Sequence, residues 1–125
     1  MLSGTFRAGM QFEESDWRSK GGLLGSLNLF RTLFSPEYFP RNLAAVEELK
    51  RLAAKYGKSL PEFALRWTLS NPIVGTALVG FRTPGEVNEN LGALGWEISG
   101  ADMAEVDNIL ARHRAVTVPP GWLED

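Results

Sequence analysis

One stretch of the chain combines residue types that could bind a phosphate group. Residues 74–79 form a short apolar run rich in β-branched side chains, and Gly80 follows it. Thr83 stands three residues before Glu86, and Pro84 comes directly after Thr83, which is typical of a helix that begins with a capping box. Unpaired backbone N–H groups and the positive end of the helix dipole meet at such a start, so it can hold an anion. An ordinary strand–helix connection without a ligand has the same pattern.

Side chains in the same stretch could add specific contacts. Arg82 precedes the cap and could donate two hydrogen bonds to a phosphate, while Gly80 and Phe81 would offer backbone N–H groups. Glu89 and Asn90 follow on the predicted helix, and the Asn90 amide has the donor and acceptor that an adenine edge requires. Gly80 could equally be an ordinary turn glycine, and a lone exposed arginine such as Arg82 is more often simply solvated. Glu89 and Asn90 could both be solvent-facing polar side chains.

The range Gly80–Asn90 resembles the last βα unit of the aldo-keto reductases. In that family the pattern G-x-[RST]-x-x-x-[QR]-x-x-E-N contacts the adenine ribose, the 2′-phosphate and the adenine ring of NADP. Gly80, Arg82, Glu89 and Asn90 match it. Further segments are similar to the family in the same order over residues 1–112: Leu2–Phe6 with Phe12 and Asp16–Arg18, Leu52–Pro72 with Ala64–Trp67, and Trp96–Asp102.

The resemblance implies an α/β fold that is the C-terminal portion of a (β/α)8 TIM barrel. A whole barrel of this kind takes about 250 residues. We therefore expect the chain of 125 residues to be mainly helical, with one or two short strands. One strand is expected over Val74–Val79, and an apolar strand of this kind needs neighbours, so self-association into a dimer or larger species is predicted.

The resemblance also implies a nicotinamide cofactor, NADP, and a set of residues that would bind it. Glu86 departs from the family, which usually has Gln or Arg there. A carboxylate repels a phosphate, so it either serves only the cap or shifts the preference toward NAD. The predicted cofactor residues are Leu2, Ser3 and Gly4 for the pyrophosphate, and Gly80, Phe81, Arg82, Glu86, Glu89 and Asn90 for the adenosine side.

No residue of the chain matches the family's catalytic Asp, Tyr, Lys and His, which come from the first half of the barrel. His113 follows the last predicted helix, and Tyr38 and Tyr56 have no lysine in the family's spacing. We therefore predict no catalytic residue in this chain, and weak or absent cofactor binding by the chain alone.

The composition excludes several other classes of function. The sequence has no cysteine, one histidine and a net charge of −2. These numbers argue against a metal site, a disulfide framework and nucleic-acid binding. Apolar runs are too short for a membrane span, and no signal peptide is recognisable, so a cytoplasmic location is expected. Hydrophobic residues make up 44% of the chain, which is typical of a protein with a packed core.

We expect a single partial domain. Its predicted parts are a loop over 1–40 after barrel strand seven, a helix pair over 42–70, the last strand with the cofactor-type helix over 73–94, a C-terminal helix over 99–113, and a tail over 114–125. Within them, Gly57 is predicted to end the first helix and a Ser59–Glu62 capping box to begin the second. Val87, Leu91 and Leu94 are predicted to form the buried stripe of the cofactor-type helix.

Two functions remain open at this point. The chain is either the C-terminal part of an NADP(H)-dependent aldo-keto reductase that transfers hydride to an aldehyde or ketone, or a free-standing, non-catalytic binding or assembly module derived from a truncated enzyme of that family. The sequence does not specify the substrate.

Overall fold

The computed structural model describes residues 2–7, 9–10, 13 and 34–113. Four helices lie in this part of the chain: α1 (Phe39–Lys55), α2 (Leu60–Leu69), α3 (Pro84–Leu91) and α4 (Gly100–Arg112). The mainly helical architecture predicted from the sequence is confirmed. The predictions for Phe12, for Asp16–Arg18 and for the 114–125 tail lie outside the described residues.

Helix α1 begins three residues before the predicted start and ends just before Gly57, as predicted. Pro40 stands in its first turn, where the missing N–H costs nothing. Gly57 adopts a φ of 64°, which only glycine reaches without strain. The Gly57 N–H donates to the Ala54 carbonyl at 3.0 Å, and the Lys58 N–H donates to the Ala53 carbonyl at 3.2 Å. This pair of bonds closes the helix end.

Serine caps form the starts of α2 and α4. Ser59 Oγ accepts from the Glu62 N–H at 3.4 Å, and Glu62 Oε2 accepts from the Ser59 N–H at 2.7 Å. The Ser59 backbone bond is the main reason that the pKa of Glu62 lies below its usual value. At α4, Ser99 Oγ accepts from the Asp102 N–H at 3.1 Å. Both caps satisfy N–H groups that have no partner inside the helix.

The hydrophobic core lies where α1 packs against α2 and α4. The apolar stripe of α1 is buried, and Val106 and Ile109 of α4 and Phe63 of α2 are 4%, 2% and 2% exposed. Met103 and Leu110 of α4 are half-buried, and Trp67 of α2 is 37% exposed. The core consists of Ala45, Val46, Leu49, Leu52, Ala53, Leu60, Phe63, Ile98, Val106 and Ile109. Full burial of one large aliphatic or aromatic side chain contributes about 1.5–3 kcal/mol, so this cluster determines how the three helices pack.

A polar cluster at the end of α1 joins it to the start of α4. The Tyr56 hydroxyl donates to Asp102 Oδ2 at 2.6 Å and accepts from the Ser99 N–H at 3.0 Å. Lys55 Nζ donates to Asp102 Oδ1 at 2.6 Å. Hydrogen bonds from Lys55 and then Tyr56 hold the pKa of Asp102 below its usual value, and the bond to Asp102 raises the pKa of Lys55.

The other end of α4 is joined to α1 by a second charged cluster. Glu48 accepts from His113 Nε2 at 2.6 Å and also from Arg112. Arg112 Nη2 further pairs with Glu105 at 3.2 Å. The His113 bond, followed by the charge of Arg112, lowers the pKa of Glu48, and the hydrogen bond to Glu105 with the Glu48 charge raises the pKa of Arg112. Ion pairs thus connect α1 and α4 at both ends of α4.

Gly92, which follows α3, connects three parts of the fold. Its carbonyl accepts from Lys58 Nζ at 2.9 Å and from Trp96 Nε1 at 2.9 Å. A Cβ built at Gly92 would lie 1.8 Å from Glu62 Oε1. A Cβ at this position therefore fits only if the Glu62 side chain moves away from it.

The strand predicted over 74–79 is not formed, and this part of the fold prediction is wrong. Residues 74–81 adopt neither helix nor strand, and the described residues contain no strand at all. A β-strand exists only when a neighbouring strand accepts and donates its backbone hydrogen bonds. The backbone of 75–81 has no hydrogen-bond partner among the described residues, so the requirement is not met.

The predicted buried stripe of α3 is wrong as well. Val87 is half-buried, whereas Leu91 and Leu94 are 57% and 55% exposed, and α3 has no buried residue. In the described part of the chain α3 packs closely on α2 alone. No element in the described part of the chain covers the side of α3 that carries Leu91, and this side chain is therefore exposed.

Replacing Gly92 by alanine should destabilise the fold. The added Cβ would displace the Glu62 carboxylate from the Ser59 N–H, so the free energy of unfolding should fall by about 0.5–1.5 kcal/mol, the scale of one lost hydrogen bond. Urea unfolding followed by circular dichroism measures this change. Gly100→Ala is the matched control, because a Cβ at Gly100 meets no atom within 4 Å. Equal stability of the two variants would contradict the steric argument.

Stability should fall in acid because three carboxylates have lowered pKa values in the fold. Glu48, Glu62 and Asp102 start from ordinary values of 4.5, 4.5 and 3.8. The unfolded chain binds their protons first, so their contribution is complete above about pH 4.5 and is lost as the pH falls through the folded values. The urea midpoint should therefore be lower at about pH 3 than at about pH 6. Asp102→Asn should reduce this difference, and an unchanged midpoint would refute the assignment.

Candidate functional site

The predicted start of the cofactor-type helix is present at α3. Thr83 has extended backbone angles, φ −133° and ψ 154°, and its Oγ1 accepts from the Glu86 N–H at 3.2 Å. Pro84 is the first helical residue. The β-type backbone and short hydroxyl of Thr83 are the features that an N-cap requires, so the sequence forms this turn through local interactions.

The Glu86 carboxylate reaches one residue further back than a capping box predicts. Its Oε2 accepts from the backbone N–H of Arg82 at 2.5 Å, where the box would use the N–H of Thr83. Arg82 Nη2 lies 3.6 Å from Glu86 Oε1. One carboxylate therefore contacts both the backbone and the guanidinium of Arg82. Sequence reasoning assigned Glu86 to the cap and missed this ion pair, although the i, i+4 spacing of Arg82 and Glu86 could have indicated it.

The side of this turn that faces solvent is open to a ligand. The Arg82 side chain is 90% exposed, and Gly80 and Phe81 are exposed. The N–H groups of Gly80 and Phe81 have no partner among the described residues. An open cavity of about 400 Å³ lies at this turn, and its walls are Phe81, Arg82, Thr83, Pro84, Val87 and Asn88. Arg82, Phe81 and the start of α3 therefore line one volume, and a cation beside a helix start is an arrangement that attracts an anion.

The remaining predicted residues of this segment flank a second cavity. Asn90 is half-buried and lines an apolar groove of about 290 Å³, whereas Glu89 is exposed. Phe81 and Val87 line both cavities, so the polar turn and the apolar groove are adjacent. The structure thus brings Gly80, Phe81, Arg82, Glu86 and Asn90 to one region of α3, with Glu89 on the solvent side.

The three residues predicted for the pyrophosphate lie elsewhere in the described structure. Leu2 lines an apolar cavity with residues of α1, α2 and α4, among them Leu49 and Leu60. Ser3 Oγ lies 3.0 Å from Thr5 Oγ1. Gly4 has a φ of 71°, and its nearest neighbours for an added Cβ are Lys50 and Leu60. None of these contacts involves α3 or the turn before it, so the structure does not join the two groups of predicted residues.

The polar clusters away from α3 have the properties of structural interactions. Tyr56 and Lys55 meet at Asp102, but the Tyr56 hydroxyl already donates one hydrogen bond and accepts another. No group of three His, Cys, Asp or Glu side chains in the described part of the chain is arranged to hold a metal ion. None of the helices within the described ranges is long and apolar enough to cross a bilayer.

Comparisons with known proteins place the chain in one family. The model of the aldo/keto reductase family matches residues 1–111. The aldo-keto reductase YhdN of Bacillus subtilis is 33% identical over 91 residues, covering 72% of this chain and 28% of that protein. The protein named "Probable pyridoxal reductase 2" of Schizosaccharomyces pombe is 31% identical over 87 residues, covering 65% of this chain and 25% of that protein.

A solved structure shows the same similarity in three dimensions. The glycerol dehydrogenase of Gluconobacter oxydans superposes with a TM-score of 0.74 at 32% identity, covering 98% of this chain and 34% of that chain. The chain thus spans about a quarter to a third of the length of these relatives. Since the family model matches most of the sequence, including the turn that precedes α3, this chain belongs to the aldo-keto reductase family.

Proposed function

We propose that this chain is the C-terminal segment of an NADP(H)-dependent aldo-keto reductase and carries the adenosine-phosphate side of the cofactor site. The observation that carries the proposal is the exposed Arg82 guanidinium beside the free N–H groups of Gly80 and Phe81 at the start of α3. Enzymes of this family typically use a nicotinamide cofactor, and the same residues match the family's adenosine-binding pattern.

The 2′-phosphate is the group that Arg82 recognises in this proposal. A guanidinium presents parallel N–H donors that match two oxygens of a phosphate, and such charge-assisted bonds are about twice as strong as neutral ones. The helix dipole of α3 adds a smaller attraction at the same end. Because Arg82 is largely solvated, an incoming phosphate needs to displace only water and the 3.6 Å contact to Glu86.

Glu86 repels that phosphate and so changes the preference between NADP and NAD. Its carboxylate accepts the Arg82 N–H and lies beside the Arg82 guanidinium, which is where the 2′-phosphate would bind. Two negative groups beside one arginine repel each other, so Glu86 weakens the binding of NADP. It does not weaken the binding of NAD in this way, because NAD has no 2′-phosphate. The segment thus accepts both cofactors, with a smaller NADP preference than Gln at position 86 would give.

The adenine base is assigned to the adjacent groove. Phe81 is 62% exposed and lines both cavities, so its ring is available for stacking. The half-buried Asn90 amide on the groove wall offers a donor and an acceptor to the base edge. Glu89 is exposed and adds a carboxylate on the solvent side of the groove.

In this proposal the complete enzyme interconverts a carbonyl compound and an alcohol by hydride transfer, and the catalytic groups come from outside this segment. The 125-residue chain has no catalytic tetrad of its own, and its cofactor binding is weak because a partial site still carries the cost of association. NADPH oxidation by this purified chain with any aldehyde would contradict this part of the proposal. A cytoplasmic location stays a prediction.

The exposed apolar surface favours a second candidate function, a non-catalytic assembly module. Ile73 and Leu78 are 87% and 98% exposed, and the apolar groove beside α3 is open. Surface of this kind marks an interaction site in soluble proteins. Self-association of the chain stays a prediction.

Removing the arginine should weaken binding of adenosine 2′,5′-bisphosphate. Arg82→Ala should cost about 1–3 kcal/mol of binding free energy, the scale of lost hydrogen bonds to a charged group. Isothermal titration calorimetry or amide NMR measures the loss. Arg51→Ala on α1 is the matched control, since that exposed arginine bonds only to its own helix at Glu47. Equal affinities of the two variants would overturn the assignment of Arg82.

Replacing Glu86 by glutamine should strengthen the binding of the same ligand. Glutamine keeps an acceptor for the Arg82 N–H but removes the negative charge, so adenosine 2′,5′-bisphosphate should gain about 1 kcal/mol. Adenosine 5′-monophosphate, which has no 2′-phosphate, should bind equally well to both proteins. Glu89→Gln is the control for general charge effects. A gain that is the same for both nucleotides would show that Glu86 does not face the 2′-phosphate.

A further inference from the structure

The side chain of Lys58 joins the start of α2 to the end of α3. Its Nζ donates to the Gly92 carbonyl at 2.9 Å, lies 3.6 Å from Glu62 Oε1 and is 5.6 Å from the centre of the Trp96 ring. Only 26% of the Lys58 side chain is exposed. A partly buried ammonium group needs partners that replace its water, and a carbonyl, a carboxylate and an aromatic face supply them here.

The Gly92 carbonyl is the point at which this lysine attaches α3 to the rest of the fold. Gly92 ends α3, where backbone carbonyls lack partners inside the helix and the dipole attracts a positive charge. Trp96 Nε1 donates to the same carbonyl at 2.9 Å. The Trp96 ring packs on Tyr56 and Phe63, with ring centres 5.2 Å and 6.1 Å apart. Two donors outside α3 therefore hold one oxygen at its C-terminal end.

The rest of α3 has few contacts that could set its direction. No side chain of α3 is buried, and in the described part of the chain this helix packs closely on α2 alone. The Glu86 carboxylate contacts only Arg82, in the turn before the same helix. Residues 75–81, which lead into that turn, have no backbone hydrogen-bond partner among the described residues. The direction of α3 therefore depends strongly on its attachment at Gly92.

Glu62 couples this attachment to the N-cap of α2. Its Oε2 accepts from the Ser59 N–H at 2.7 Å, while its Oε1 faces Lys58 Nζ. One carboxylate thus caps α2 and orients the ammonium group of Lys58. The place of this ammonium group is therefore defined by the start of α2, which belongs to the packed core.

We propose that Lys58 is a positioning residue for the candidate cofactor site. Its ammonium group fixes the C-terminal end of α3, and the direction of α3 determines where the turn over residues 80–83 lies at the other end. Lys58 lines neither cavity at α3, so it acts through the helix and does not touch the ligand. The expected effect on nucleotide binding rests on the cofactor function proposed above.

The first test needs no ligand and compares amide NMR signals of residues 80–83 between variants. Lys58→Met keeps the aliphatic stem and removes the ammonium group, so these signals should shift. The eight residues of α3, about 12 Å of helix, separate them from Gly92. A role in overall stability alone would lower the free energy of unfolding and leave the native signals of this turn in place. Unshifted signals at 80–83 in Lys58→Met would overturn the proposal.

Two further variants control for charge and for the hydrogen bond. Lys58→Arg keeps a cationic donor and should restore the wild-type signals at 80–83. Arg51→Met removes a positive charge from α1, where Arg51 bonds to Glu47 on its own helix, and should leave these signals unchanged. Equal shifts in Lys58→Met and Arg51→Met would show that charge alone acts at this turn, which would overturn the proposal.

The second test measures binding of adenosine 2′,5′-bisphosphate by isothermal titration calorimetry. Lys58→Met should weaken this binding roughly three- to tenfold, because the loss of one hydrogen bond lowers the correctly placed fraction of α3 by about that factor. Lys58→Arg and Arg51→Met should bind like the wild-type chain.

The two tests separate this inference from the cofactor assignment. Wild-type binding that Lys58→Met retains in full would contradict this inference and leave the cofactor proposal standing. Shifted signals at 80–83, together with a wild-type chain that binds no nucleotide, would support the placement of α3 by Lys58 and contradict the cofactor proposal.

Discussion

The fold depends on the burial of one face of α1. Seven residues of this helix are buried, and both α2 and α4 pack against it. Because helices of ten to seventeen residues are marginal in isolation, this shared apolar face stabilises all three. Helix α3 lies outside the arrangement and packs closely on α2 alone in the described part of the chain. The candidate site is therefore at the periphery of the fold, one helix removed from the core.

That peripheral position suits the phosphate binding proposed for the site. A phosphate group requires water-accessible donors at first encounter, and a helix start at the surface provides them. The ion pair between Arg82 and Glu86 keeps the guanidinium beside the turn in the absence of a ligand. An exposed pair of this kind contributes little to stability, so exchanging the carboxylate for a phosphate costs the fold little.

The parts predicted correctly from the sequence are those decided by neighbouring residues. The Ser59–Glu62 box, the Gly57 helix end and the Thr83 cap each depend on residues within five positions of one another. The Tyr56–Asp102 bond spans 46 positions and the Lys58–Gly92 bond spans 34, and no local pattern indicates such pairs. Those contacts come from helix packing, which the sequence of one element does not specify.

The failed strand prediction has a physical cause of the same kind. Residues 77–81 are apolar throughout in the sequence, and in the structure alternate side chains, those of Ala77, Val79 and Phe81, line the groove. A strand also requires hydrogen bonds from another segment, and the described chain supplies none. For the site, the predicted residues between positions 80 and 90 lie at α3, and their role in cofactor binding stays a prediction. Leu2, Ser3 and Gly4 contact other elements. Whether these residues lie near α3 depends on contacts between distant parts of the chain, and a sequence motif does not specify such contacts.

The absence of buried residues in α3 has a consequence for its dynamics. A helix with no buried side chain gains little from packing, so it can open locally while α1, α2 and α4 stay folded. The hydrogen bonds from Lys58 and Trp96 to the Gly92 carbonyl restrain only the C-terminal end of α3. The N-terminal turn with Thr83 and Glu86 is therefore the end that frays, and its amide hydrogens exchange with solvent first. A ligand bound at that turn would slow this exchange selectively, so its binding is thermodynamically linked to helix formation.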